Sequence, residues 1–334
     1  MRIAITGVAG FLGSHLADKY LAEGHEIVGI DNLIGGYRSN VPKEVDFREI
    51  DLLNLEDTRT ALSNVEIVVH AACTAYEGLS VFSPSLVVAN TMQATTNVMS
   101  ASVFNKIRKV IFMSSMARYG TQEKLPFTEE MRPEPQDPYG IAKFGSEMIV
   151  RNMAEVHGLK YVILVPHNII GSRQKYDDPY RNVASIMINR MLQGKQPIIY
   201  GNGEQRRCFS FINDVIDPLS IATFSTKAES RTINIGPDEE FVTINALAEE
   251  IASILDFKLD PIYMPGRPQE VVDANCSADL ARELLGYRTK VNLRDGLVEL
   301  AEWIIASGAK PFDYHLPLEI VTDATPKTWS EKIM

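Results

Sequence analysis

Thr6-Gly7-Val8-Ala9-Gly10-Phe11-Leu12-Gly13 decides how this chain reads. It follows a short apolar run, Ile3–Thr6, and opens a stretch of helical periodicity over Leu12–Glu23, so its glycines sit where a strand hands over to a helix. Glycines there permit a tight turn and bring backbone N–H groups close to a diphosphate, while the helix N-terminus adds positive potential. The spacing is G-x-x-G-x-x-G rather than G-x-G-x-x-G, so context has to support the reading. Asp31 supplies it. The residue closes a second apolar run, Glu26–Ile30, 18 residues after Gly13, where a carboxylate accepts from ribose hydroxyls and repels a 2′-phosphate. Asp51-Leu52, after the strand-like Asp46–Ile50, suits the adenine edge of the same ligand.

Working outward, the runs Ile67–His70, Lys109–Ser114 and Tyr161–Pro166 alternate with helical patterns over Val88–Phe104 and Tyr139–His157. This β-α-β-α order, with strands rich in Val and Ile, predicts an α/β fold in which a doubly wound parallel sheet occupies residues 1–168. Residues 169–334 predict a smaller, mixed α/β domain. It holds a polar loop at Ser172–Arg181, helices at Val183–Gln193 and Thr243–Leu255, and strands near Pro197–Tyr200 and Thr232–Ile235 that can rejoin the first sheet. Beyond Pro311 the chain has no period and reads as an extended arm without an assigned role.

Composition bounds the function. At 45% hydrophobic and 23% charged over 334 residues, the chain buries a core without help from disulfides or metals. A formal charge of -10 opposes nucleic acid as a partner. The three cysteines, Cys73, Cys208 and Cys276, fall in no metal-ligand spacing, which predicts no metal and a reducing, cytoplasmic setting. The first apolar run is too short for a leader, and no segment reaches the roughly 18 apolar residues of a membrane span.

A second signal is Tyr139-Gly140-Ile141-Ala142-Lys143, preceded by Asp137-Pro138 in the form of an N-cap with proline at the first helical position. Tyr139 and Lys143, four residues apart, share one helix face, where a cation favours the phenolate and makes the tyrosine a usable base. Ser114-Ser115 ends the run Lys109–Ser114, at the sheet edge where parallel folds hold ligands.

Glycine fingerprint, acidic residue, strand-end serine and Y-x-x-x-K occur in the chain order of the extended short-chain dehydrogenase/reductase family, which the sequence resembles from end to end. Val69-His70-Ala71-Ala72, Asn90-Thr91, Asn168-Ile169-Ile170-Gly171 and Tyr200-Gly201-Asn202-Gly203 look like landmarks of its nucleotide-sugar epimerases and dehydratases. The resemblance implies a Rossmann domain, NAD as cofactor and a nucleotide-diphosphate sugar as substrate. It places NAD on Gly7, Gly10, Phe11, Leu12, Gly13, Asp31, Asn32, Asp51, Leu52, Ala71, Ala72, Asn90, Tyr139 and Lys143. It makes Ser115, Tyr139 and Lys143 catalytic, with Ser114 only a neighbour, and assigns substrate contacts to Thr74, Ser115, Asn168, Arg173, Arg207 and Arg267. The helical stretches Val88–Phe104 and Tyr139–His157 resemble the pair that forms a dimer bundle in the family, so a homodimer is expected.

The neighbours of Ser115 select the reaction. Nucleotide-sugar 4,6-dehydratases carry an Asp-Glu pair directly after the hydroxyl residue; here those positions are Met116 and Ala117, which move no proton. GDP-mannose 3,5-epimerase, which Glu134-Pro135-Gln136-Asp137 and His167-Asn168-Ile169 resemble, has a cysteine at the position of Ala117 and a lysine in the loop after Gly171, with which Lys175 aligns poorly. Gly171-Ser172-Arg173-Gln174 is similar to a stretch of UDP-hexose and UDP-uronate 4-epimerases. The expectation is epimerisation at C4. A C4 dehydrogenase or 4-keto reductase would use the same three residues, and a non-enzymatic NAD-binding scaffold would need neither Tyr139 nor Lys143.

Overall fold

The computed structural model describes residues 1–237, 241–269, 271 and 273–334. Seven strands lie side by side: β1 (Arg2–Thr6), β2 (Glu26–Asp31), β3 (Asp46–Glu49), β4 (Ile67–His70), β5 (Lys109–Met113), β6 (Lys160–Pro166) and β7 (Thr232–Ile235). They pair in the order β7-β6-β5-β4-β1-β2-β3, and every pairing is parallel. The predicted doubly wound sheet is therefore present. Its seventh strand comes from beyond residue 168, with Thr232 set against Ile163.

The helices that matter below are α1 (Phe11–Ala22), α2 (Leu55–Ala61), α3 (Ala94–Phe104), α4 (Pro138–His157), α5 (Val183–Leu192), α6 (Ile212–Phe224), α7 (Ile244–Ile254) and α8 (Leu293–Ser307). Successive strand residues point to opposite faces, so each strand feeds two cores. On one face Ile3, Ile5, Val69, Ile111 and Leu164 pack with Leu16 and Tyr20 of α1 and Leu219 of α6. On the other, Ala4, Val68, Val110 and Ile163 pack with Val98 of α3 and Val150 of α4. Each such Leu, Ile or Val contributes about 1.5–3 kcal/mol by leaving water.

The helix read over Val88–Phe104 starts earlier and is not uniform. Pro84–Val88 leads into a widened π turn at Ala89–Gln93 before α3 begins. Such turns rotate the side chains they carry relative to a regular helix, and Asn90 lies in this one.

A third core joins Tyr176, Met187 and Ile188 of the α5 region to Leu247 and Ile251 of α7 and Leu297 and Leu300 of α8. The loop Ser172–Arg181, expected to be polar and open, is largely buried: Tyr176 enters this third core and Tyr180 a fourth. The fourth core is made with the C-terminal arm, where Leu316 and Trp329 pack against Tyr76, Phe82 and Tyr180. Hydrogen bonds fix the arm along its length. The Glu319 carboxylate accepts from the N–H groups of Ser85 and Leu86, Ser83 Oγ donates to Pro317 O, and Trp329 Nε1 donates to Pro179 O.

Candidate active site

Strand order reverses between β1 and β4, and the crevice at the carboxyl ends of these strands is where open α/β sheets bind ligands. A cavity of about 460 Å³ lies there. Gly7, Gly10, Phe11, Leu12 and Gly13 form its floor. Gly7 has φ +74°, and a Cβ on it would fall 2.9 Å from the backbone of Ala72; one on Gly13 would fall 2.2 Å from Gly7 O. Only glycine lets the loop fold down this far. Helix α1 starts with no side-chain cap on its first N–H groups, which leaves them for an anionic ligand in the cavity.

Asp31 stands at the end of β2 on the cavity wall. Its carboxylate accepts from Ala9 N at 2.9 Å and Leu33 N at 2.7 Å. Burial pushes its pKa up while these N–H groups hold it down. The same wall carries Asn32, Asp51, Leu52, Ala71, Ala72, Thr74 and Asn90, and Asn90 Nδ2 donates to Thr74 Oγ1 at 3.0 Å. Uncapped helix donors, a cradle that a Cβ would fill and a carboxylate at the end of β2 together fit a dinucleotide without a 2′-phosphate.

Behind the cradle runs a chain of buried hydrogen bonds: Ala72 N to Thr6 Oγ1 at 3.2 Å, Thr6 Oγ1 to His70 Nδ1 at 2.7 Å, and His70 Nε2 to Thr95 Oγ1 at 3.0 Å. Thr95 spends its own proton on Thr91 O, so the imidazole donates through Nε2 and accepts through Nδ1. Burial, followed by the charge of Lys143, pushes His70 down to about 3, which keeps the ring neutral.

The reacting end is built by β5 and α4. Asp137 caps α4 by accepting from Gly140 N at 2.9 Å, with Pro138 at the first helical position, as the sequence predicts. A Cβ on Gly140 would lie 2.6 Å from Ala117 O, so the missing side chain lets α4 press against the turn that carries Ser115. Glu147, one turn past Lys143, is fully buried, accepts from Ser114 Oγ at 2.5 Å and Arg151 Nη2 at 2.9 Å, and forms an ion pair with Arg118 at 2.9 Å. Ser114 is thereby committed to structure. Ser115 Oγ accepts from Ala117 N at 3.2 Å, which leaves its own proton free to donate.

Tyr139 packs against Val87 and Ala117, and burial raises the phenol well above its ordinary pKa. The Ser115 hydroxyl and the Arg181 charge pull it back down, whereas Cys73 and Glu77 push it up. Lys143 Nζ donates to Met113 O at 2.7 Å and lies 5.8 Å from the Tyr139 ring centre. It has no carboxylate partner among the described residues, so its charge is directed at the cavity.

Asn168, Arg207 and Arg267 also line the cavity, with Tyr200. The Arg267 guanidinium lies 4.9 Å from the Tyr200 ring centre, and Arg207 Nη1 donates to Arg206 O. Arg173 does not join them. At φ +67° its backbone turns the side chain toward α1, where it pairs with Asp18 at 2.6 Å and donates to Ser14 O. The expected Arg173 contact with substrate is therefore corrected. Lys175 also leaves the site, pairing with Asp177 at 2.9 Å.

Among the cavity-wall residues that the sequence reading did not assign to the site are Cys73, Arg181, Trp329 and Met334. For Cys73, its place directly after Ala71-Ala72 was a usable signal. The other three reach the cavity only through long-range packing of the 172–182 loop and the arm.

The model of the NAD dependent epimerase/dehydratase family matches residues 3–236. A putative UDP-glucose 4-epimerase of Methanocaldococcus jannaschii is 31% identical over 306 residues, covering 90% of this chain and 98% of the relative. The crystal structure of UDP-glucose 4-epimerase from Thermotoga maritima with UDP-glucose superposes with TM-score 0.86 at 31% identity, covering 92% of this chain and 99% of that one. UDP-glucuronic acid 4-epimerase from Bacillus cereus, in complex with UDP-glucuronic acid and NAD, gives 0.86 at 27% identity over 92% and 100% of the two chains.

Proposed function

The chain belongs to the NAD dependent epimerase/dehydratase family, and on that premise we propose that it inverts C4 of a nucleotide-diphosphate sugar through a transient 4-keto sugar. One observation carries the choice of reaction: Ser115, Tyr139 and Lys143 meet in one cavity, while Met116 and Ala117, the positions next to Ser115, offer nothing that moves a proton.

NAD is the cofactor; held on the Gly7–Gly13 turn and Asp31, it would supply reversible hydride acceptance at C4. The chain's own residues handle the oxygen. Tyr139 takes the C4 hydroxyl proton as the bond to hydrogen breaks, and gives it back on reduction. Ser115, with its lone pair occupied by Ala117 N, donates toward the same oxygen. Lys143, fixed by Met113 O with its Nζ 5.8 Å from the Tyr139 ring centre, is the cation whose proximity favours a phenolate. Arg207 and Arg267 suit the diphosphate, because guanidinium forks match phosphate oxygens. For inversion the keto sugar has to present its other face before hydride returns.

Purified, NAD-loaded protein is expected to bring either member of a C4-epimeric pair of UDP- or GDP-sugars to the same mixture, with no net NADH. Stoichiometric NADH and a released 4-keto sugar would replace this reading with a C4 dehydrogenase.

The functional unit we favour is a homodimer formed through α3 and α4, where Phe104, Ile141 and Met148 are 64%, 55% and 56% exposed. Light scattering at micromolar concentration is expected to give the dimer mass; a monomer alone would refute it. The described helices include none long and apolar enough to cross a membrane. With its three cysteines, Cys73, Cys208 and Cys276, in no metal-ligand spacing, the setting we favour is cytoplasmic.

A further inference from the structure

Arg181 is a cation at the reacting end of the cavity that the C4 chemistry leaves without a task. It lines the same wall as Ser115 and Tyr139, and its charge bears on both the Tyr139 phenol and Cys73. Its guanidinium sits 5.5 Å from the Tyr76 ring centre. Among the described residues no carboxylate comes within 4 Å of it and no hydrogen bond engages it. Asp178, three residues away, is already occupied: it accepts from Tyr76 Oη at 2.5 Å and from Tyr180 N at 2.8 Å.

The other cavity cations are employed differently. Lys143 is bonded to Met113 O, and Arg207 and Arg267, which line the cavity with Asn168 and Tyr200, are the pair read for the diphosphate. Arg181 is therefore additional to what a diphosphate and a catalytic tyrosine need. The backbone that carries it is held in place. The residues before it are tied to the C-terminal arm, through Trp329 Nε1 to Pro179 O at 3.1 Å and Tyr180 Oη to Leu316 O at 3.1 Å. Asp178 acts on this half-buried guanidinium only through its charge, so the fork itself is open to an anion in the cavity.

We propose that Arg181 is the subsite for an anionic substituent on the sugar ring, so that the preferred substrate is a nucleotide uronate whose C6 carboxylate this guanidinium takes. The inference rests on the C4 reading for where the ring lies, and it adds the substrate class. A planar fork matches a carboxylate through two hydrogen bonds, whereas a neutral hydroxymethyl group leaves the charge without its counter-ion. A site built around such a polar group discriminates against ligands that cannot satisfy it.

The test compares kcat/KM for matched pairs, UDP-glucuronate against UDP-glucose and GDP-mannuronate against GDP-mannose, in the wild type and in Arg181→Met and Arg181→Lys. Affinities of the NAD-loaded protein for the same four ligands are measured by calorimetry. The wild type is expected to favour the uronate of at least one pair by roughly tenfold or more, and Arg181→Met to erase that ratio by roughly 10–100-fold. Arg181→Lys, which keeps the charge and loses the fork, should fall between. Preference for the neutral sugars, or an Arg181→Met variant that weakens both members of a pair equally, would overturn the subsite. Uronate binding that depends on Arg181 without any C4 inversion would keep the subsite and remove the proposed reaction.

Discussion

Tyr139→Phe lowers turnover by roughly 10²–10⁴-fold, the usual worth of a positioned acid/base group, while the protein stays folded and binds NAD. The substitution removes one oxygen from a ring packed against Val87 and Ala117, and leaves that packing in place. The hydroxyl it removes is the one that Ser115 faces and that would exchange a proton with the sugar. Steady-state kinetics with a thermal melt on the same sample separate the two effects. Activity within threefold of the wild type would take Tyr139 out of the chemistry.

Glu147→Ala costs about 3–5 kcal/mol of folding stability, because it leaves Arg118 buried and without its counter-ion. Glu147 is fully buried, Arg118 is 3% exposed, and Ser114 and Arg151 converge on the same carboxylate. The cluster also binds α4 to the turn after β5, so a surviving variant should lose kcat through a displaced Tyr139 and Ser115. Urea unfolding measures the loss. A change under about 1 kcal/mol would show that the arginines find other partners, as exposed ion pairs would allow.

Much of the frame could be read from local pattern. The strand Thr232–Ile235 is present with the bounds predicted for it, and Asp137-Pro138 caps α4 as expected, because caps and short apolar runs are decided by neighbouring residues. Elements whose conformation depends on distant partners escaped. The π turn at Ala89–Gln93 has no local signature, yet it governs where Asn90 points. Arg173 was expected in the site from its place after Gly171, but its positive φ, tied to Asp18 on α1, sends it the other way. Arg181 and Trp329 are 148 residues apart in the chain and line one cavity only because the arm folds back over the 172–182 loop.

The central claim is that carbon-bound hydrogen moves only between C4 and the cofactor, and incubation in D₂O tests it most directly. NAD-loaded protein is given a panel of UDP-, GDP-, CDP- and dTDP-sugars, including the uronates, and deuterium is located in the products by NMR. With Met116 and Ala117 beside Ser115 and Lys175 tied to Asp177 outside the cavity, these positions supply no acid or base for chemistry at C3 or C5. Inverted C4 without solvent deuterium on carbon is therefore the predicted result. Label at C5 and C6 with loss of water, or at C3 and C5 with inversion there, would contradict it.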